Sequence, residues 1–233
     1  NLDVTASRIA WSKWMNAGQT CVAPDYVLVE ESFAPQLIEA IKNKITEFYS
    51  ADVTSSQDYG RIVNERHLAR IVSYLEGQEI VHGGKSNAET KYIEPTLVLN
   101  PALDSPLMQQ EIFGPILPIV TVKDIYQAIT FVNERAKPLA LYVFTKNQDF
   151  EKEVLNKTSA GMVCVNDGFM FAANPNLPFG GVGNSGTGAY HGKIGFDNFS
   201  HLKTVMKRSF WFDVPLRYPP FTDKKFKLLK KMI

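Results

Sequence analysis

An α/β fold is predicted: a largely parallel sheet with flanking helices, then a bridging strand and an extended tail. Strand-like apolar runs alternate with helical periods along most of the chain, the pattern of strand–helix–strand units. Some runs, 116–122 among them, are almost continuously apolar, as buried strands are. The 233 residues are 45% hydrophobic, enough for one large domain or two small ones with a real core, and fifteen Phe, nine Tyr and three Trp argue against disorder.

In chain order, an aromatic-rich segment leads into residues 16–24, Asn-Ala-Gly-Gln-Thr-Cys-Val-Ala-Pro, a small and polar loop. Residues 26–29 form a short apolar strand. Leu37, Ile38, Ile41, Ile45 and Phe48 then recur on one helical face. His67, Leu68, Ile71, Val72 and Leu75 mark a second helix, stopped by Gly77. Residues 80–81 and 93–99 are strand-like, the latter broken by Pro95. A buried strand at 116–122 precedes a helix marked by Ile125, Ile129 and Val132. A strand at 139–145, a helix at 151–156 and a strand at 161–165 follow. Residues 174–195, rich in Gly, Asn, Ser and Pro, should be irregular, and 199–205 suggest one more strand. No internal repeat is found.

The net charge of +1 hides an asymmetry: residues 201–233 carry +7 and the rest −6. A basic tail behind an acidic body serves docking, an acidic membrane surface or solubility. Its last stretch, 224–233, is short, basic and amphipathic. It reads as a helix packed on the same or a partner subunit, with a weak membrane-surface contact as the sharper alternative. Two cysteines make no disulfide framework, which suits a reducing compartment. With no signal peptide and no bilayer-spanning run, the expectation is a cytoplasmic protein, peripheral at a membrane at most. The chain begins with Asn1 and its first residues read as mid-domain sequence, as expected of a fragment of something longer.

Cys21 is the first candidate functional residue. On a glycine-containing loop a thiol can be reached by a small molecule, and its backbone N–H can point at whatever it attacks. A free thiol of pKa about 8.5 is already a good nucleophile at neutral pH. The competing reading is a buried structural cysteine. Cys164, inside a strand pattern, reads as core. Residues 181–186, Gly-Val-Gly-Asn-Ser-Gly, fit a dinucleotide fingerprint, but the Pro-flanked segment before them cannot be a sheet strand, so that reading is rejected. Gly83-Gly84-Lys85-Ser86 lacks the first glycine of a P-loop. His67, His82, His191 and His201 show no metal-ligand spacing, so no metal is expected.

Three motifs agree on a family. Residues 16–21, Asn-Ala-Gly-Gln-Thr-Cys, resemble the nucleophile loop of the aldehyde dehydrogenase superfamily. Residues 111–115, Glu-Ile-Phe-Gly-Pro, resemble its second motif. Pro178-Phe179-Gly180-Gly181 followed by Ser185-Gly186-Thr187-Gly188 resembles its third. Order and spacing are family-like. Pro24-Asp25-Tyr26, Asn184, Tyr190-His191-Gly192 and the Arg-Tyr-Pro-Pro at 217–220 are similar to the class 3 enzymes. Trp14 departs from the smaller aromatic or aliphatic residue that many members carry.

The resemblance implies that Cys21 attacks an aldehyde to give a thiohemiacetal whose oxyanion is held partly by the Cys21 N–H. Hydride transfer to NAD or NADP and hydrolysis of a thioester then give a carboxylic acid. It implies that Glu111 grips the nicotinamide ribose hydroxyls, that Phe113 packs beside the nicotinamide end, and that Phe179 walls the substrate pocket. Residues 1–196 would be the catalytic domain, and 197–233 the bridging or oligomerisation strand with its basic tail. Medium- to long-chain aliphatic or aromatic aldehydes would be the substrates, a homodimer the assembly, and nucleic acid no partner. Asn166 and Asp167 are candidates to brace the nucleophile loop. The family's Glu-Leu-Gly-Gly base, its oxyanion-hole Asn and most of its cofactor domain normally lie upstream and are not among these residues. The fragment alone is therefore expected to bind NAD poorly and to be inactive. Two other readings are a non-redox thiol esterase using Cys21 and a non-catalytic dimerisation module.

Overall fold

A computed structural model describes residues 1–231, which form two compact units divided after Phe199. The first unit is α/β. Its main sheet has four strands in the order β1 (Val27–Glu30), β6 (Ile116–Val122), β5 (Thr96–Leu99), β2 (Ile80–His82). β1 and β5 run parallel to β6, with Val27 opposite Ile119 and Leu97 opposite Leu117, and β2 is antiparallel to β5. A parallel pair, β7 (Ala140–Val143) and β8 (Met162–Val165), forms a second small sheet. β3 (Ser86–Asn87) and β4 (Tyr92–Ile93) make a short antiparallel ladder.

The helices follow local chemistry. α1 (Leu2–Trp14) is capped by Asn1, whose side chain accepts from the Val4 N–H. α2 (Ala34–Tyr49) carries Pro35 in its first turn, where the missing N–H costs nothing, and buries Leu37, Ile38, Ile41 and Ile45. α3 (Glu65–Ser73) is capped by Asn64, α5 (Ile125–Asn133) by Asp124 and α6 (Gln148–Lys157) by Asn147. α4 (Pro106–Gln109) is a single turn. The core gathers α1, α2 and α3 around Ile116, Leu117 and Ile119 of β6, all fully buried. The central strand therefore reads as one apolar run, because both its faces are covered.

Two expectations are corrected, and the aromatic-rich start, to which no element was assigned, is a full helix, α1. Residues 192–198, read as part of an irregular stretch up to 195, form α7 (Gly192–Asn198). Residues 199–205, read as a strand, join no ladder among the described residues, and Leu202 and Val205 are exposed. Apolar content alone does not make a strand when no neighbouring edge is there to pair with it.

In the second unit, Asp213, Arg217 and Tyr218 form a local cluster: Tyr218 donates to Asp213 at 2.7 Å and the Arg217 side chain touches both. α8 (Asp223–Leu229) is capped by Thr222. The amphipathic stretch expected over 224–233 is thus helical for its first part, and 232–233 lie outside the described residues. Among the described residues no helix is long and apolar enough to cross a membrane.

Candidate active site

The nucleophile loop begins where α1 ends. Asn16 (φ 53°), Ala17 (φ 53°) and Gly18 (φ 74°) are all left-handed, a conformation that reverses the chain and is disfavoured for residues with a Cβ. The surroundings hold it there. Gln19 donates to the Arg61 and Asn16 carbonyls at 2.9 and 3.1 Å and accepts from the Val63 N–H at 3.0 Å. Asn16 donates back to the Gln19 carbonyl at 3.1 Å. Cys21 follows in a turn closed by the Ala23 N–H to the Thr20 carbonyl, 3.1 Å. The thiol is exposed, while the next residue, Val22, is buried against Met162 and Phe171. Cys21 is therefore not a core cysteine.

The Glu-Ile-Phe-Gly-Pro turn is pressed against this loop. A Cβ added to Gly18 would lie 2.2 Å from the Gly114 carbonyl oxygen, and one added to Gly114 would meet Ile71 at 2.6 Å. Glycine at 18 permits the approach, and glycine at 114 lets the turn sit on the Ile71 side chain. Trp14 fastens the same two segments, its indole N–H donating to the Pro115 carbonyl at 2.9 Å within the core. Ile112 is fully buried and anchors the turn. Glu111 and Phe113 on either side of it are exposed, and Phe113 has φ 48°.

Backbone contacts fix Glu111. Arg70 on α3 donates to the Glu111 carbonyl at 3.2 Å and the Ile112 carbonyl at 2.7 Å, and Asp25 accepts from the Ile112 N–H at 3.1 Å. Partial burial raises the pKa of the Glu111 carboxyl, the Asp25 charge adds to the shift, and Arg70 opposes it. Burial likewise raises Asp25, against Lys13, the Ile112 N–H and Arg70.

Cys21, Asp25 and Glu111 line one broad cleft of about 1620 Å³, with Ser12, Tyr26 and Arg135 also on its wall. Phe113 and Phe179 are not on this lining. Phe179 packs behind the loop with Phe171, Tyr190 and His191, in the cluster that buries Val22, and pairs with Tyr190 through both backbone hydrogen bonds. The structure thus brings Cys21 and Glu111 to a common surface, places Phe113 beside Glu111, and sets Phe179 against the base of the Cys21 loop.

Asn166 and Asp167 do not brace that loop directly. The Asn166 carbonyl accepts from Arg8 and its side chain from the Thr145 N–H at 2.7 Å, while Asp167 pairs with Arg8 at 3.6 Å. They hold α1 to the β7–β8 layer. The direct brace is Tyr142, whose hydroxyl donates to the Val22 carbonyl at 2.6 Å. Burial raises the pKa of that phenol. Cys164, on β8, has its thiol pKa raised by burial and by Asp167. Sequence reasoning did not single out Tyr142, Gln19, Arg70 or Lys13. Lys13 alone left a signal: it falls on the α1 stripe of Ala6, Ile9 and Ala10, where an apolar residue is expected. Among the described residues no cluster of His, Cys, Asp and Glu could hold a metal ion.

The first unit is thus an α/β fold that presents an exposed cysteine on a left-handed loop, backed by a Glu-bearing turn. The aldehyde dehydrogenase family model matches residues 1–205, and the chain belongs to that family. It is 48% identical over 226 residues to the dog protein named aldehyde dehydrogenase, dimeric NADP-preferring, covering 96% of this chain and 50% of the relative. It is 49% identical over 227 residues to rat aldehyde dehydrogenase family 3 member A2, covering 97% and 47%. Among solved structures, the substrate-bound state of Staphylococcus aureus AldH superposes with a TM-score of 0.93 at 46% identity, over 100% of this chain and 51% of that one. The chain is thus a class 3-like homologue of NAD(P)-dependent aldehyde dehydrogenases, and it spans about half the length of these relatives.

Proposed function

We propose that this chain carries the nucleophile and part of the cofactor grip of an enzyme that oxidises medium- to long-chain aliphatic or aromatic aldehydes to carboxylic acids. One observation carries the reading: the exposed Cys21 and the backbone-pinned Glu111 line a single cleft, with their loops in contact through Gly18 and Gly114. Cys21 Sγ adds to the aldehyde carbon, and the Cys21 N–H supports the oxyanion of the resulting thiohemiacetal. When bound, NAD(P)+ supplies the acceptor for the hydride that leaves this carbon. Cys21 then holds the acyl group as a thioester, which water releases as the acid.

The Glu111 carboxylate suits the ribose end of such a cofactor, because its two oxygens accept from vicinal hydroxyls while Arg70 and Asp25 hold its backbone still. Phe113, held at φ 48°, stands beside it for the nicotinamide end. Phe179 shapes the substrate side through the aromatic cluster under Val22. A relative is named dimeric and NADP-preferring, and we extend both properties to this protein: a homodimer using residues from 200 onward, with NAD or NADP as cofactor.

The test is aldehyde-dependent NAD(P)H formation by the protein at full natural length, with hexanal and benzaldehyde as substrates. The C21S variant is expected to lose at least about a thousandfold in kcat. Turnover by C21S at the wild-type rate would sink the reading. The 233 residues assayed alone are expected to give only background oxidation, since no Glu-Leu-Gly-Gly segment occurs in them. Ester hydrolysis with no response to NAD(P)+ would favour the thiol esterase instead.

A further inference from the structure

Lys13 is the one charged side chain among the described residues that is fully buried, and its Nζ has no hydrogen-bond partner. An ammonium removed from water costs several kcal/mol unless a counter-charge meets it, so such a group is kept only where something depends on it. Burial lowers its pKa to about 8, and the one charge that opposes the shift is Asp25. The two residues flank the nucleophile loop: Lys13 closes α1 before it, and Asp25 follows Cys21 after it. Asp25 reaches across to the second motif and accepts from the Ile112 N–H at 3.1 Å. Arg70 holds the carbonyls of Glu111 and Ile112 from the other side.

We propose that Lys13 and Asp25 are a positioning pair: Asp25 clamps the Ile112 amide so that Glu111 is presented to the cofactor, and the buried Lys13 ammonium is the counter-charge of that clamp. This rests on the reading of Glu111 as a cofactor contact. A charged carboxylate accepts a stronger hydrogen bond than a neutral carboxyl, and a buried carboxyl left without a counter-charge takes up a proton. Without Lys13, Asp25 is driven neutral, the clamp weakens and the Glu111–Phe113 turn loosens. Without Asp25, the Ile112 N–H loses its acceptor and Lys13 loses its counter-charge. Both changes act on cofactor affinity and leave the thiol in place.

The experiment uses the protein at full natural length, with cofactor Kd from fluorescence titration, KM and kcat from turnover, and iodoacetamide alkylation of Cys21. K13M and D25A are each expected to raise the cofactor Kd and KM about tenfold, with kcat changed less than about threefold and the alkylation rate unchanged. K13M/D25N is expected to match K13M and not to add a second tenfold loss, because both leave a neutral acceptor for Ile112. That non-additivity is a signature that general loss of packing does not give. Unchanged Kd in K13M and D25A, or a Cys21 alkylation rate that falls with K13M, overturns the pair. Should K13M fail to fold, K13M/D25A decides, since removing both charges spares the core an unpaired one: a wild-type Kd there also overturns it. A wild-type enzyme with no need for a nicotinamide cofactor would sink the Glu111 reading instead, and the two failures are distinct.

Discussion

Lys13 makes stability depend on pH in a direction set by its burial. Folded, it titrates at about 8; unfolded, near 10.5. Between these values the unfolded chain binds more protons, so stability rises as pH climbs through that window. The full effect is about 3 kcal/mol. Tyr49, Tyr59 and Tyr92 act oppositely: burial raises each phenol, so above a pH of about 10 the unfolded state loses protons first and stability falls. Urea unfolding of the wild type should therefore strengthen from pH 8 towards 10 and then weaken, while K13M shows only the weakening. A wild-type midpoint that is flat up to pH 10 would contradict the burial of Lys13. Gly18 is the second residue with a clear cost. Alanine there meets both φ 74° and the Gly114 carbonyl at 2.2 Å, so G18A should lose at least about 2 kcal/mol by the same measurement.

At the scale of elements, the Cys21 loop is held by a strand that does not belong to it. Tyr142 of β7 donates to the Val22 carbonyl, and its ring stacks on Phe171 at 5.7 Å. Y142F keeps the ring and loses the hydrogen bond. It should cost about 1–2 kcal/mol and speed amide exchange at residues 20–24 more than in α2. Equal exchange in both segments would remove Tyr142 as the brace. The sheet and most helices were legible in the sequence because their patterns are local: the apolar run of β6, the period of α2, the break at Pro95 between β4 and β5. α1 was not read because Lys13 and Ser12 interrupt its buried face; the Ser12 hydroxyl is satisfied by the Arg8 carbonyl one turn back, and the Lys13 Nζ is buried without a hydrogen-bond partner. The strand expected over 199–205 failed for the opposite reason: its apolar residues are real, but pairing is a property of two segments. In the site, Cys21 and Glu111 could be named from motifs. The links between them, Gly18 to Gly114 and Asp25 to Ile112, join residues far apart in the chain and show only in the fold.

Across the whole molecule, the two units differ in how they treat apolar surface. The first unit buries its own. The second leaves Phe210 and Trp211 almost wholly in solvent, more than scattered surface residues require. If residues from 200 onward form the dimer contact proposed above, F210D/W211D should weaken self-association at least about tenfold in sedimentation velocity. An unchanged dimer would place the contact elsewhere. The contact between Gly18 and Gly114 reaches furthest. It joins a loop near the start of the chain to a turn near its middle, with no room for one added carbon at Gly18, while a carbon added at Gly114 would press on Ile71 of α3. Loop, turn and helix are therefore mutationally interlocked. A library that randomises the Cys21 loop alone should return glycine at position 18, and a side chain at position 114 has to be selected together with a smaller residue at position 71.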